Sequence, residues 1–460
     1  MCGRSAGIHP ARAGIRPDHT VKNVLEKLGI EHVGEEKRHG IPFNTFTLWF
    51  GANLTIADFA LGSLFFGLPF SSIIIAIVVG NILGGLLLGL NASMGPTFGY
   101  PQMMISKAVM GRTGNVPFAV ANWISTVGWF TVNIILGGYA LQLAFGLPFY
   151  LAAGVMVIVD AGLATYGHDI IHTFEKVMSV VLGVMFGAMT VLAYFKMGSN
   201  FSAYQASASF NLYFWALVVA VVFSYLMSWS PYASDYSRYL PRNASKWKIL
   251  AYTMAGGAIA SAWAELAGFF VYVGANNTHL NAIAALASVS GGYQVFTLMA
   301  IVLGAIAADA LNLYTNSLSA LVLYNKAGRV QTVLLAGVVG FVLALIGSSN
   351  FGGFYQSFLL TLDYWITPWI GVMVAAFFVK KVMSGVEEAP AFLRAGLGAY
   401  VLGLLVSVPF MNLTSYCFPS GCINYIGPVA NLIGGADVSY FVGALAAFVA
   451  YTLIARRDKT

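Results

Sequence analysis

Long apolar runs, each ended by a short polar stretch, recur from residue 44 to residue 455. A helix needs about 20 mostly apolar residues to cross a bilayer. Twelve runs qualify, at 44–68, 71–92, 116–145, 148–166, 173–197, 211–231, 249–274, 294–324, 330–347, 354–379, 394–414 and 437–455. The pattern predicts an all-α polytopic membrane protein of twelve transmembrane helices in a lipid bilayer.

Composition agrees. Only 9% of residues are charged, against roughly 25% in a soluble protein, so an ordinary soluble fold is excluded. Disorder is excluded by the 58% hydrophobic content. Fifty glycines suit helices that approach closely within a membrane. Three cysteines make no disulfide framework. The net charge of +6 could suggest nucleic acid as a partner, but the basic residues sit in loops between spans. With twelve spans, 22 of the 23 Lys and Arg fall on the side of both termini, and Lys196 alone on the other. The positive-inside rule then places both termini in the cytoplasm of a multi-pass cell-membrane protein.

Residues 1–43 read as a cytoplasmic tail without a secretory signal, with one short surface helix at 20–29 running from Thr20 to Gly29. Residues 456–460 form the cytoplasmic C-terminus. Cys417 and Cys422 bound the segment CFPSGC between spans 11 and 12, a spacing open to a disulfide or to two free thiols.

Two spans are interrupted. The first, TLWFGANLTIADFALG (47–62), is broken by Gly51, Asn53, Thr55 and Asp58; the sixth, VVFSYLMSWSPYASDYSRYLP (221–241), by Ser228, Ser230 and Pro231. Each interruption alone would serve close helix packing. As first helices of two five-helix halves, 44–197 and 211–379, they match in position, and an odd helix count inserts the halves in opposite orientation. Interrupted helices at matching places in inverted halves point to a midplane binding site in a secondary transporter. Spans 11 and 12 (394–455) lie outside the repeat.

Five acids lie within spans: Asp58, Asp160, Glu265, Asp309 and Asp363. No basic residue stands within a span away from its ends, so each acid is protonated, metal-bound or close to water. Asp160 and Asp363 read as neutral acids bonded to a neighbouring helix. Asp309 is open to the same reading and to a proton-carrying one. Trp129 and Asn133 share a face of span 3, and Asp309 and Asn312 a face of span 8, its equivalent in the other half. Trp offers a stacking face and Asn an amide edge, a combination suited to a planar polar ligand. His168, His172 and Glu175 have helical spacing, but no fourth ligand or enclosing site accompanies them, so no metal and no cofactor is expected. A phosphate-binding loop is absent, which argues against a nucleotide-driven pump.

The segments GIEHVGEEKRHGIPFNTFTLWFGANL (29–54), VGWFTVN (127–133), PYASDYSRYLP (231–241) and ADALNLYTNSLS (308–319) resemble the nucleobase–cation symporter family, in particular its purine–cytosine permease branch. The resemblance runs over nearly the whole chain. It implies a LeuT-like fold, a 5+5 inverted repeat plus two C-terminal helices, and cation-coupled uptake of a nucleobase by alternating access. It implies that Trp129 stacks on the substrate and Asn133 binds its edge. Asn53 and Thr55 in the broken first helix, and Asp309 and Asn312 in the eighth, would complete the site. Contacts from the sixth helix would come from Tyr225 to Trp229. An ungapped alignment puts Leu226 where the hydantoin-transporting branch has its second stacking Trp, and Trp229 one turn on. Sodium-coupled members use first-helix carbonyls, here Gly51 and Leu54, and two eighth-helix hydroxyls. Those hydroxyl positions fall on Ile306 and Ala307, which a hard cation cannot use. The expectation is therefore proton coupling, with Asp309 binding substrate, carrying the proton, or both. In fungal members an amide stands near this position, so a pure substrate contact at Asp309 stays open.

Rival readings are a sodium-coupled carrier of hydantoin, allantoin, uracil or a vitamin-like ring, an intramembrane enzyme, and a channel. The sequence lacks the paired YD and GxGD motifs of an intramembrane aspartyl protease. Broken helices around a closed aromatic site favour a carrier over a channel.

Overall fold

The computed structural model describes residues 29–164, 168–277, 279–381, 385–414, 416–418 and 421–455. The helices are α1a (Phe43–Asn53), α1b (Ile56–Leu61), α2 (Phe70–Ala92), α3 (Val116–Phe145), α4 (Phe149–Ala164), α5 (His168–Ser207) and α6a (Leu212–Met227). They continue with α6b (Ala233–Ser237), α7 (Lys246–Ala275), α8 (Gln294–Leu323), α9 (Arg329–Gly347), α10 (Phe351–Val374), α11 (Arg394–Ser407) and α12 (Ser439–Ile454). Among the described residues, seven helical stretches are long and apolar enough to cross a membrane, and α1a with α1b adds a bent crossing. One stretch spans 51 residues, Val330–Lys380, about 76 Å of helix and more than twice a bilayer core. A turn at Ser348–Asn350 divides it into α9 and α10. The shorter apolar helices α4, α11 and α12 bring the crossings to the expected twelve.

Helix α3 lies along α8, α2 along α6a and α7, and α1a along α7; α11 and α12 pair with each other beside α10. Glycine permits the closest of these approaches. A methyl group on Gly268 of α7 would stand 1.9 Å from the Phe59 carbonyl oxygen, and one on Gly62, just after α1b, 2.3 Å from the Glu265 carbonyl oxygen. The two backbones are in direct contact there.

The buried apolar side chains form two main cores. The larger holds Trp129, Tyr225, Ala307 and Tyr355. The smaller holds Trp49, Leu226, Trp229, Tyr232, Tyr236 and Ala310. Asp309 of α8 lies between Ala307 of the larger core and Ala310 of the smaller, and Leu313, further along the same helix, belongs to the larger.

Several elements depart from the expected pattern. Helix α5 continues to Ser207 through residues too polar for a span, because Tyr204 packs on Phe66 and Phe269 and donates to the Leu68 carbonyl. A buried helix, Gln102–Met110, occupies what reads as a loop between spans 2 and 3; Trp369 Nε1 donates to its Ser106 hydroxyl at 2.9 Å. The short helix Ala282–Ser290 precedes α8. The end of the tail is docked: Val33 N–H donates to Gly99 O at 2.9 Å and His39 N–H to Tyr239 O at 2.7 Å. A two-residue antiparallel ladder departs from the all-helical expectation, with Cys417 opposite Cys422 along the backbone. The side chains of those cysteines lie outside the described residues, as do the expected helix at 20–28, the C-terminus at 456–460 and the side chains of His168, His172 and Glu175.

Candidate substrate and coupling site

The first break forms without proline. Leu54 leaves helical geometry at φ −81°, ψ 64°, and Thr55 is extended at φ −119°, ψ 162°. Thr55 caps α1b, its hydroxyl oxygen accepting the Asp58 N–H at 3.3 Å, and the two segments meet at 55°. The same hydroxyl lies 2.7 Å from the Tyr225 hydroxyl, on the last turn of α6a. Helix α6 breaks more gently: Ser230–Tyr232 is a 3-10 turn with Pro231 near its start, where a missing N–H is tolerated.

Trp129 is buried with aromatic edges around it: Tyr225 at 5.1 Å, Phe358 at 5.2 Å and Tyr355 at 6.1 Å between ring centroids. One turn on, Asn133 donates from Nδ2 to Asp309 Oδ1 at 2.8 Å, and Asn312 Nδ2 reaches the same oxygen at 3.3 Å. The Tyr232 hydroxyl donates to Asn312 Oδ1 at 3.5 Å. The structure thus gathers Trp129, Asn133, Asp309, Asn312, Thr55 and Tyr225.

Asp160 of α4 stands beside Asp309. Neither Asp160 oxygen nor Asp309 Oδ2 has a hydrogen-bond donor among the described residues. Two adjoining carboxyl groups can bond to each other only if one carries a proton. Sequence reading placed Asp160 in a span but did not join it to Asp309. Tyr355 and Phe358 were also missed; their spacing on α10 makes an aromatic face, the one signal available for them.

Leu226 packs against neighbouring helices. Its side chain fills a surface made by Gly84 and Gly85 of α2 and Gly257 of α7. Trp229 lies in the smaller core against Trp49 and Tyr232, each at 5.3 Å between centroids. Asn53 donates back to the Trp49 carbonyl at 2.7 Å. The indole N–H groups of Trp129 and Trp229 and the side-chain oxygens of Asn53 and Asn133 are buried without a partner among the described residues. Unpaired donors and acceptors on these residues suit a ligand that carries both N–H and carbonyl or ring-nitrogen groups.

At the expected cation position, the Gly51 carbonyl accepts the Leu54 N–H at 3.3 Å. The Leu54 carbonyl faces Gly304 of α8, 3.2 Å from where a Cβ would stand. From Ala300 to Ala308 that helix carries no side-chain oxygen, Ile306 and Ala307 included. A hard cation that wants several oxygens does not fit this donor set. Beyond Phe358 a cavity of about 400 Å³ opens, lined among others by Asn350, Phe354, Ser357 and Tyr416.

The chain is 27% identical to a putative purine-cytosine permease of Bacillus subtilis, over 94% of this chain and 96% of that protein. It is also 27% identical to a purine-cytosine permease of Saccharomyces cerevisiae, over 93% of this chain and 85% of that one. Its fold is that of Mhp1, a nucleobase-cation-symport-1 family transporter solved in a closed conformation with bromovinylhydantoin bound; the TM-score is 0.75 at 17% identity, over 94% and 95% of the two chains. These likenesses confirm the LeuT-like architecture of a multi-pass membrane transporter. Residues 32–443 match the family described as permeases for cytosine/purines, uracil, thiamine and allantoin, and the chain belongs to that family, the nucleobase–cation symporters.

Proposed function

We propose that the protein imports cytosine or a purine nucleobase by symport with a proton. The observation that carries this is the set of buried polar atoms without a partner among the described residues: the indole N–H groups of Trp129 and Trp229 and the side-chain oxygens of Asn53 and Asn133. A nucleobase is flat and carries donors and acceptors on its edge. Its ring would lie between Trp129 and Trp229, with Asn133 and Asn312 reading the edge and Asp309 in contact with both. Trp229 suits this role better than Leu226, which is packed into glycine surfaces. The purine-cytosine permeases among its relatives support the substrate class.

The proton assignment rests on the Asp160–Asp309 pair, whose contact needs a shared proton, and on the poor donor set for sodium. Proton binding at Asp309 would favour substrate binding, and substrate would favour the proton by the same factor. The repeats would be 44–197 and 211–379, with 394–455 outside them. Both termini would be cytoplasmic, on the face holding 22 of 23 basic residues.

The test is uptake of labelled cytosine in sodium-free buffer, with and without an uncoupler, against a panel of unlabelled bases. Uptake should persist without sodium and fall with the uncoupler. Sodium dependence that survives collapse of the proton gradient would overturn the proton assignment. Failure of every nucleobase to compete would overturn the substrate.

A further inference from the structure

A second pair of acids lies apart from the proposed substrate contacts. Asp58, in the first turn of α1b, and Glu265, midway along α7, are fully buried and stand against each other. Asn81 of α2 donates to Glu265 Oε2 at 2.8 Å. The remaining Glu265 oxygen and both Asp58 oxygens have no donor among the described residues. The Ser261 hydroxyl, one turn before Glu265, faces Asp58, is wholly buried and has no other partner among the described residues. Among the described residues, the other titratable groups facing the pair are the hydroxyls of Tyr225 and Tyr355. They are committed elsewhere, to Thr55 and to the Ala57 carbonyl. Two carboxylates this deep, without a cation, would repel each other and forfeit their hydration.

We infer that Asp58 and Glu265 form a second proton-binding site, sharing at least one proton across the seam between α1b and α7. The placement joins this site to the moving parts of the carrier. Asp58 is three residues from Thr55, whose hydroxyl receives the Asp58 N–H and meets Tyr225 beside Trp129. The bend of α1 thus lies between the acid pair and the substrate site. With the proton in place, the carboxyls bond across the seam and hold α1b on α7. When the proton leaves to water, the two charges push α1b away and the bend changes. The role in coupling rests on the transport reading; the presence of the proton does not.

Two measurements on the full-length protein in proteoliposomes test the site. The first is infrared absorption of protonated carboxyl groups at neutral pH. The double variant Asp58→Asn with Glu265→Gln should lower that band relative to wild type, and an undiminished band there overturns the proposal. This readout needs no substrate, so it decides the pair even if cytosine is not the cargo. The second compares cytosine counterflow, which needs no net proton movement, with accumulation driven by an imposed pH gradient. Glu265→Gln should keep counterflow and lose about tenfold in gradient-driven accumulation. Accumulation equal to wild type overturns the coupling role. If the double variant does not fold, Ser261→Ala replaces it. That variant should keep the infrared band and shift the pH midpoint of accumulation, and an unmoved midpoint counts against the site.

Discussion

The two cores on either side of Asp309 are closed by different means. Around Trp129 the closure is mainly aromatic, with the edges of Tyr225, Tyr355 and Phe358 set against the indole. Beyond Trp229, toward the docked tail, it is a lattice of directed bonds. The Tyr236 hydroxyl donates to the Leu311 carbonyl at 2.8 Å, and Asp235 accepts from Gln102 N–H and from the Thr315 hydroxyl, both at 2.8 Å. Arg238 donates to the Gly29 carbonyl at 3.0 Å and the Tyr314 hydroxyl at 3.2 Å. Ring-edge contacts contribute about 0.5–1.5 kcal/mol each and tolerate sliding. Hydrogen bonds to charged groups contribute about 1.5–3 kcal/mol and are lost within a small displacement. The face beyond Phe358, where the cavity lies, should therefore open at lower cost than the tail face.

The largest effect should come from Arg238→Ala. It releases residues 29–31 and leaves Asp235 buried without its cationic neighbour, at a cost of about 3–5 kcal/mol. Thermal unfolding should fall, and labelling of a cysteine placed at Ser234 should rise. Unchanged labelling would break the comparison. Leu226→Ala should cost about 2–5 kcal/mol of stability while substrate affinity stays at the wild-type value. Weakened affinity there would mean that Leu226 faces the ring. Trp129→Ala and Trp229→Ala should each cost about 1–3 kcal/mol of binding, roughly 5- to 150-fold in Kd by titration with cytosine. A loss confined to one of them would reduce the sandwich to a single platform. The smallest effect is expected from Tyr225→Phe, about 0.5–1.5 kcal/mol, since only the bond to Thr55 goes. It should appear in transport rate, and an unaltered rate would mean that this bond does not join α1 to α6.

The twelve crossings were legible because apolar length needs no partner to be recognised. The break at Leu54–Thr55 was legible because polar residues interrupt an apolar run, and the faces of α3 and α8 because helical spacing fixes which residues align. Asp160 with Asp309, and Asp58 with Glu265, were not. Each pair joins different helices, and sequence spacing carries no information on how one helix is rotated toward another. Helix Gln102–Met110 escaped for a related reason: it is buried by α6b and α10 rather than by lipid, so it needs no membrane-length apolar run. The register of the sixth helix was not legible either, since it depends on volume: the glycines of α2 and α7 make room for Leu226, and Trp229 packs in the aromatic cluster.

The contact of α1b with α7 at Gly62 and Gly268 has an electrical consequence. Backbones that touch leave no gap for a file of water molecules, and protons cross membranes by hopping along such files. A side chain larger than hydrogen at either position would wedge the seam apart and admit water to carboxyl groups that are now buried. On that argument the two missing methyl groups would serve as insulation, closing to protons a path through the protein along this seam.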